Sequence, residues 1–134
     1  MTAFKHKEEK GSVAVEAAFV LSFIFLPILL GIIEYGNYFS TSFKVAESAR
    51  IGARVGAMSS ENRVLKAESK AREILEQYAY AKDKTQIVAT INDMEDGLSS
   101  INLNVTLDYT PIIPTLGILI VPNKIQREDT ELNY

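Results

Sequence analysis

The stretch AAFVLSFIFLPILLGII, residues 17–33, decides the fold because it contains no ionisable side chain. A helix rises about 1.5 Å per residue, so roughly 20 such residues span the hydrocarbon core of a bilayer. The apolar run extends back to Ser12, and Glu16 is the only ionisable residue that interrupts it. The sequence therefore predicts a transmembrane helix over residues 12–34.

A secretory signal peptide is the competing interpretation of this run, since it also has a basic start and an apolar middle. Such a peptide has a shorter apolar core and is followed by a small-x-small cleavage site. Here the segment GIIEYGNYFS, residues 31–40, follows the run and contains no A-x-A pattern. We therefore expect the helix to be retained in the mature protein.

The flanking cations predict the orientation of this helix. Lys5, Lys7 and Lys10 precede the run, whereas Lys44 is the nearest cation after it. Lysine and arginine near the ends of a span favour the cytoplasmic side. The prediction is a single-pass membrane protein with a cytoplasmic leader at residues 1–11, a span at 12–34 and an exported domain at 35–134.

Hydrophobic periodicity beyond the span predicts an α+β domain. The first helix extends outward, and a second begins after Ser59 or Ser60 and runs to about Ala81. Segments 86–92 and 101–110 predict an antiparallel pair of strands joined by the turn-rich residues 92–100, and segment 123–134 predicts an edge strand. The predicted fold is a long N-terminal transmembrane helix extending outward, a second helix and a small antiparallel sheet of two or three strands.

The faces of these elements follow from their spacing. The second helix should bury Val64, Ala67, Ala71, Ile74, Leu75 and Tyr78, and the clearest strand should bury Ile101, Leu103, Val105, Leu107 and Tyr109. The segment PIIPTLGILIVP, residues 111–122, is apolar but too short to cross a bilayer. We expect it to be a loop that covers the sheet.

Composition excludes several classes of function. The chain has 134 residues, a net charge of −3 and no cysteine, which indicates one small domain without disulfides or a nucleic-acid footprint. His6 is the only histidine. The sequence contains no Ser-His-Asp set, no phosphate-binding glycine loop and no metal-ligating cluster. We therefore expect no enzymatic activity, no cofactor, no metal and no nucleic-acid partner.

Two features of the first helix allow more than one interpretation. A stripe of small residues, Ala49, Gly52, Ala53 and Gly56, lets another backbone approach closely, either from a partner's helix or within the domain core. The charged residues Glu34, Glu47, Arg50 and Arg54 form either a polar site or, as we expect, a solvated face. Pro27, in the middle of the span, predicts a kink because it removes a backbone donor and clashes with the preceding turn.

Glu16 needs an explanation because a carboxylate in hydrocarbon is costly. It lies near the start of the helix, so it could reach the headgroups and favour the positive helix end. Alternatively, cleavage after Gly11 would leave Ser12 with a free ammonium, four residues from Glu16 on the same face. That amine, from the same or a neighbouring chain, would then pair with Glu16 and set the axial register.

A short charged leader ending in glycine, followed by an apolar segment with glutamate at its fifth position, resembles the processing site of type IV prepilins. More specifically, the chain resembles the TadE-like family of the tight-adherence (Flp) pilus systems over about residues 11–57. Ala17 departs from the pattern, which often has an aromatic residue there. The matching residues are Gly11, Ala14, Val15, Glu16, Ala18, Pro27, the segment GIIEYG at 31–36 and the segment ARIGAR at 49–54.

The resemblance implies a minor pilin or pseudopilin held in the cytoplasmic membrane and needed to assemble a pilus. It implies cleavage between Gly11 and Ser12 by a prepilin peptidase, and partners among other pilins and the pilus assembly platform. The alternative function is an uncleaved, single-pass anchor that carries an exported binding module.

Overall fold

The computed structural model describes residues 5–93, 98–114, 119 and 121–133. Helix α1 is Lys5–Ala57 and helix α2 is Arg63–Gln77, followed by a 3₁₀ turn at Lys82–Lys84. The strands are β1 (Thr85–Asp93), β2 (Ser99–Asp108) and β3 (Lys124–Asn133). This order confirms the predicted α+β class, and the sheet has three strands where two or three were predicted.

Helix α1 is 53 residues long and so extends about 80 Å. It begins at Lys5, seven residues before the predicted start of the span at Ser12, and lysine and glutamate are good helix formers. In the described part of the chain, one helix is long and apolar enough to cross a membrane, and the qualifying part of it is Gly11–Ala57. No residue in the apolar segment of this helix is buried, and Phe23, for example, is 78% exposed. The helix continues through Pro27, whose predicted kink stays a prediction.

The sheet is antiparallel with the order β1-β2-β3, so β2 lies in the centre. Val105 faces Ile87 on β1, and Leu107 faces Ile125 on β3. Strict alternation of apolar and polar residues lets β2 bury one complete face, as predicted. The third strand confirms the predicted edge strand, whereas the predicted connection at 92–100 lies partly outside the described residues.

Helices α1 and α2 cover one face of the sheet, so the domain has two layers around one core. On β3, Arg127 shares a register position with the buried Val105 and donates to the Ser42 hydroxyl on α1. This contact joins the edge strand to the helix layer. The core cluster includes Leu75, Ile101, Leu103, Val105, Leu107 and Ile125, together with Val45 of α1.

Helix α2 ends at Gln77, four residues before the predicted end at Ala81. The Ala79 N–H donates to the Glu76 carbonyl, and the Tyr80 N–H donates to the Leu75 carbonyl. This pair of hydrogen bonds is a Schellman motif, which terminates a helix with a residue in the left-handed region. Ala79 has φ 60°, a conformation that glycine adopts with less strain. The predicted buried face is confirmed at its four alanine, isoleucine and leucine positions, whereas Val64 is half-buried and Tyr78 is exposed.

Candidate functional site

Three residues singled out from the sequence lie together near the beginning of α1. Gly11, Ser12 and Glu16 line one shallow, exposed surface of the helix, together with Phe19 and Val20. The helical conformation from Lys5 onward therefore confirms that Ser12 and Glu16 share a face. A carboxylate one turn beyond residue 12 can accept a hydrogen bond from a cation at that level of the helix.

The Gly11–Ser12 bond is itself part of the helix. A methyl group placed on Gly11 would meet no atom within 4 Å, so no packing requires a glycine there. Glycine costs about 1 kcal/mol relative to alanine inside a helix. Glycine at this position therefore lowers the local stability of the exposed helix.

The other end of the apolar run carries a second carboxylate, Glu34, which is completely buried. Its Oε1 accepts hydrogen bonds from the Tyr109 hydroxyl at 2.8 Å and from the Ile112 N–H at 3.3 Å. Its Oε2 accepts from the Ile113 N–H at 3.0 Å. The expectation of a solvated face was therefore wrong for Glu34, because three donors from the chain replace the water that a charged group needs.

Tyr109 connects this carboxylate to the rest of the domain. Its hydroxyl accepts a hydrogen bond from Asn37 Nδ2 at 2.7 Å and donates one to Glu34. Its ring packs edge to face against the ring of Tyr38, with 5.3 Å between the ring centres. Burial, and next the hydrogen bond to Glu34, raise the pKa of Tyr109 to about 12. The hydroxyl is consequently protonated at neutral pH and serves as a fixed donor.

The helical period of α1 carries a sequence signal for the burial of Glu34. The buried stripe of α1 includes Val45, Thr41 and Glu34, which are spaced by four and seven residues. Continuing the helical period from Val45 towards the N-terminus places Glu34 on the core face. The sequence nevertheless favours solvent for this carboxylate, because charged residues are almost never fully buried without partners and its partners lie more than seventy residues away.

Of the two interpretations of the small-residue stripe, the structure supports packing within the domain core. Ala49 and Ala53 are at most 1% exposed inside the chain's own core. A methyl group on Gly52 would lie 2.5 Å from Leu103 Cδ2 and 2.8 Å from the Ala67 carbonyl oxygen, and one on Gly56 would lie 2.5 Å from Ile101 Cδ1. The prediction that Ala49, Gly52, Ala53 and Gly56 pack against another subunit's helix is therefore corrected: α2 and β2 of the same chain fill that space.

The other three charged residues of the predicted polar face lie in solvent, as expected. Glu47, Arg50 and Arg54 are exposed, which confirms the solvated face at these positions. Glu47 accepts a hydrogen bond at 2.8 Å from the Tyr78 hydroxyl of α2, and this bond raises the pKa of Tyr78. Lys44 Nζ lies 5.4 Å from the centre of the same ring. These contacts join the two helices at the surface.

The described residues offer little for a cofactor or metal. No group of three histidine, aspartate or glutamate side chains in that part of the chain is placed to hold a metal ion. An open cleft of about 300 Å³ lies beside Tyr109 and is lined by polar groups that include Asn37, Thr41, Lys84 and Asp108. Lys84 donates to Thr110 at 3.3 Å, so part of this polar surface is satisfied internally.

Comparison with known families points to the same segment as the geometry. Residues 11–54, about one third of the chain, match the family model described as TadE-like protein. The resemblance predicted from the sequence is thereby confirmed over this segment. The match begins at Gly11, includes Glu16 and Glu34, and ends at Arg54 within the core part of α1. No curated protein and no solved structure matches the chain.

Proposed function

We propose that this chain is a minor pilin or pseudopilin-like membrane protein for assembling a tight-adherence, Flp-type pilus. The single observation that carries the proposal is the coincidence of the TadE-like match with an exposed apolar helix that bears a carboxylate near its start. An exposed apolar surface of this size needs lipid or other apolar helices around it. Both environments occur in the life of a pilin-like subunit, first the membrane and then the assembly.

The proposed reaction on this chain is cleavage between Gly11 and Ser12 by a prepilin peptidase. Hydrolysis leaves the Gly11 carboxylate on the leader and a free amine on Ser12. The lysines at positions 5, 7 and 10 favour the cytoplasmic side, which places the bond at the inner face of the membrane. The proposed location is the bacterial cytoplasmic membrane, with the C-terminal domain outside.

The proposed role of Glu16 is to pair with the amine of Ser12, from its own chain or from an adjacent pilin. Glu16 is exposed on the same face as Ser12, so its carboxylate is accessible to a neighbouring helix. In a low-dielectric bundle, removal of one partner of such a pair costs about 3–5 kcal/mol. The pair therefore favours one axial register among packed helices over the others.

The first experiment is mass spectrometry of the mature chain from cells with an active pilus apparatus. A chain that begins at Ser12 supports the proposal, whereas recovery of the full-length chain from those cells contradicts it. The second experiment replaces Glu16 with alanine and measures membrane insertion, cleavage and crosslinking to other pilins separately. We expect only the crosslinking to be lost.

The matched control for that variant is Glu61→Ala, which removes an exposed carboxylate outside the apolar run. It should leave insertion, cleavage and crosslinking unchanged. Normal crosslinking of the Glu16→Ala chain would reject the charge-pairing role while leaving the cleavage proposal to the mass measurement.

A second candidate function is an uncleaved, single-pass anchor for an exported binding module. The observation that favours it is the unbroken helix across the Gly11–Ser12 bond, which continues from Lys5 to Ala57. A peptidase has to unwind this turn before it can cleave the bond. The mass measurement separates the two functions, because the anchor retains Met1 in cells that contain the active apparatus.

A further inference from the structure

The end of the apolar run on α1 fixes the height of the folded domain above a membrane. Glu34 is the first residue after that run, and it accepts hydrogen bonds from the N–H groups of Ile112 and Ile113 at 3.3 and 3.0 Å. These bonds hold the chain after β2 at the level where α1 would leave the hydrocarbon. The predicted covering loop therefore begins against α1, and its residues 115–118 and 120 lie outside the described part of the chain.

The cleft of about 300 Å³ beside Tyr109 lies just beyond this level. Helix α1 lines it with Asn37 and Thr41, which follow Glu34 by about 4.5 and 10 Å along the helix axis. The headgroup layer on each side of a bilayer is about 5–8 Å deep. With α1 along the membrane normal, the cleft therefore reaches from the headgroup layer to its outer edge. The half-exposed ring of Tyr35 agrees with this depth, because tyrosine is enriched at the membrane–water interface.

The other wall of the cleft comes from the turn after α2 and from the end of β2. The Schellman motif turns the chain at Ala79, and the small side chains of Ala79 and Ala81 leave the space open. Lys84, in the 3₁₀ turn, and Thr110, after β2, add an ammonium and a hydroxyl to this wall. Together with the amide and the hydroxyl on α1, these groups place hydrogen-bond donors on both sides of the cleft.

The cleft also carries an excess of positive charge. Its one lining carboxylate among the described residues, Asp108, lies 3.9 Å from Lys124 Nζ, which offsets its charge. Lys84 forms no ion pair with the described residues. Glu34 does not line the cleft, and three donors of the chain already bind its carboxylate. A cation surrounded by neutral donors suits a small anion whose oxygens only accept hydrogen bonds, as in a phosphate group.

We propose that this cleft binds a phosphate group, and that the group belongs to the headgroup of an anionic phospholipid in the outer leaflet. The inference rests on the membrane anchoring in the proposed function and adds a ligand to it. Lys84 pairs with the phosphate oxygens, while Asn37 and Thr41 donate hydrogen bonds from the side of α1. A lipid is the source because the cleft lies at the depth where headgroup phosphates are concentrated.

Native mass spectrometry of the full-length chain in a non-ionic detergent can test the site, because it counts the phospholipids that remain bound. Phosphatidylglycerol and phosphatidylcholine with the same acyl chains are titrated in parallel, and we expect the phosphatidylglycerol to bind more tightly. Lys84→Gln should weaken its binding about fivefold, the contribution of one lysine near an anionic surface. The matched control is Lys82→Gln, in the same turn but outside the cleft, which should leave the binding unchanged. An equal loss in both variants, or no loss in Lys84→Gln, overturns the cleft as the site.

A second variant tests the wall on α1 without changing the charge. Thr41→Val removes one lining hydroxyl and keeps the shape of the side chain, so it should weaken phosphatidylglycerol binding about threefold, as the loss of a neutral hydrogen bond does. Ser40→Ala removes an exposed hydroxyl outside the cleft and is the matched control. Unchanged binding in Thr41→Val would overturn the role of α1 in holding the phosphate.

Two further measurements separate the source of the phosphate from the anchoring itself. Glycerophosphoglycerol, the deacylated headgroup, should bind more weakly than the lipid, and an equal affinity would overturn the lipid as the source. Flotation with vesicles of phosphatidylethanolamine and phosphatidylglycerol reports on the anchoring. A parent chain that floats but does not prefer phosphatidylglycerol overturns the cleft site and leaves the anchoring intact, whereas a chain that does not float overturns both.

Discussion

Tyr109 donates its phenolic hydrogen to Glu34 across 2.8 Å, although the two residues are 75 positions apart in the chain. The bond joins the end of the apolar run on α1 to the residue that follows β2. Asn37 donates to the same hydroxyl, so the Tyr109 hydroxyl acts both as a hydrogen-bond donor and as an acceptor. A buried carboxylate thus connects the membrane-length helix to the sheet layer.

Replacing Tyr109 with phenylalanine should destabilise the domain by about 1.5–3 kcal/mol, the usual contribution of a hydrogen bond to a charged group. The variant leaves Glu34 with two backbone donors, and it leaves Asn37 without its acceptor. Urea unfolding of the full-length chain in detergent micelles, followed by circular dichroism, measures the difference. Tyr35→Phe, at a half-exposed ring, is the control and should unfold like the parent chain; an equal loss in both variants would contradict the role of the bond.

The stability of the domain should fall between about pH 10 and pH 12. The pKa of Tyr109 rises from 10.0 to about 12 in the folded chain, so the folded state favours the protonated hydroxyl. This stabilisation is fully present below pH 10 and is lost as the pH rises through the folded pKa. Melting temperatures from pH 8 to pH 12 should fall more steeply for the parent than for Tyr109→Phe, whereas parallel curves would reject the assignment.

Gly52→Ala should destabilise the domain by about 1–3 kcal/mol, because the added methyl group overpacks the contact between α1 and α2. The closest atom that cannot rotate away is the Ala67 carbonyl oxygen, 2.8 Å from the added carbon. Gly36→Ala is the matched control, since nothing lies within 4 Å there and alanine favours the helix by up to about 1 kcal/mol. Thermal unfolding of both variants should therefore shift in opposite directions, and a neutral Gly52→Ala would contradict the packing.

Ala79→Gly should stabilise the domain by about 0.5–1 kcal/mol. The left-handed conformation costs alanine about 1–2 kcal/mol, and the substitution removes this cost. Part of the resulting gain in stability is offset by the greater entropy of glycine in the unfolded chain. Chemical unfolding compares the variant with the parent. Ala81→Gly, at an extended position two residues later, is the control and should give no gain; a loss of stability in Ala79→Gly would contradict the φ of 60°.

The order of elements could be predicted because local patterns in this chain are strong. The apolar run specifies one long helix, and β2 alternates without error from Ile101 to Leu107, which fixes its buried face. Helix α2 was also recognisable from its period, but its end was not. The Schellman motif at Ala79 uses a residue that carries no turn signal, so the helix was predicted to continue to Ala81.

The candidate sites divide according to how far apart their residues are in the sequence. Gly11, Ser12 and Glu16 lie within two turns of one helix, so their shared face followed from spacing alone. Glu34 depends on donors from Tyr109, Ile112 and Ile113, and no local pattern encodes such a distant contact. The small-residue stripe showed the opposite difficulty. Its spacing correctly indicates a close helix contact, but the same spacing serves a neighbouring chain or the chain's own second helix.

Helix α1 continues from the apolar run into the domain core without a hinge loop at the junction. Phe23 and Val45 therefore lie on one continuous helix. Successive backbone hydrogen bonds, rather than a flexible linker, connect the apolar run to the domain core. A twist applied to the apolar end turns the sheet with it. If the proposed assembly forms, the packing of each apolar helix among its neighbours would consequently set the azimuth at which its sheet faces outward.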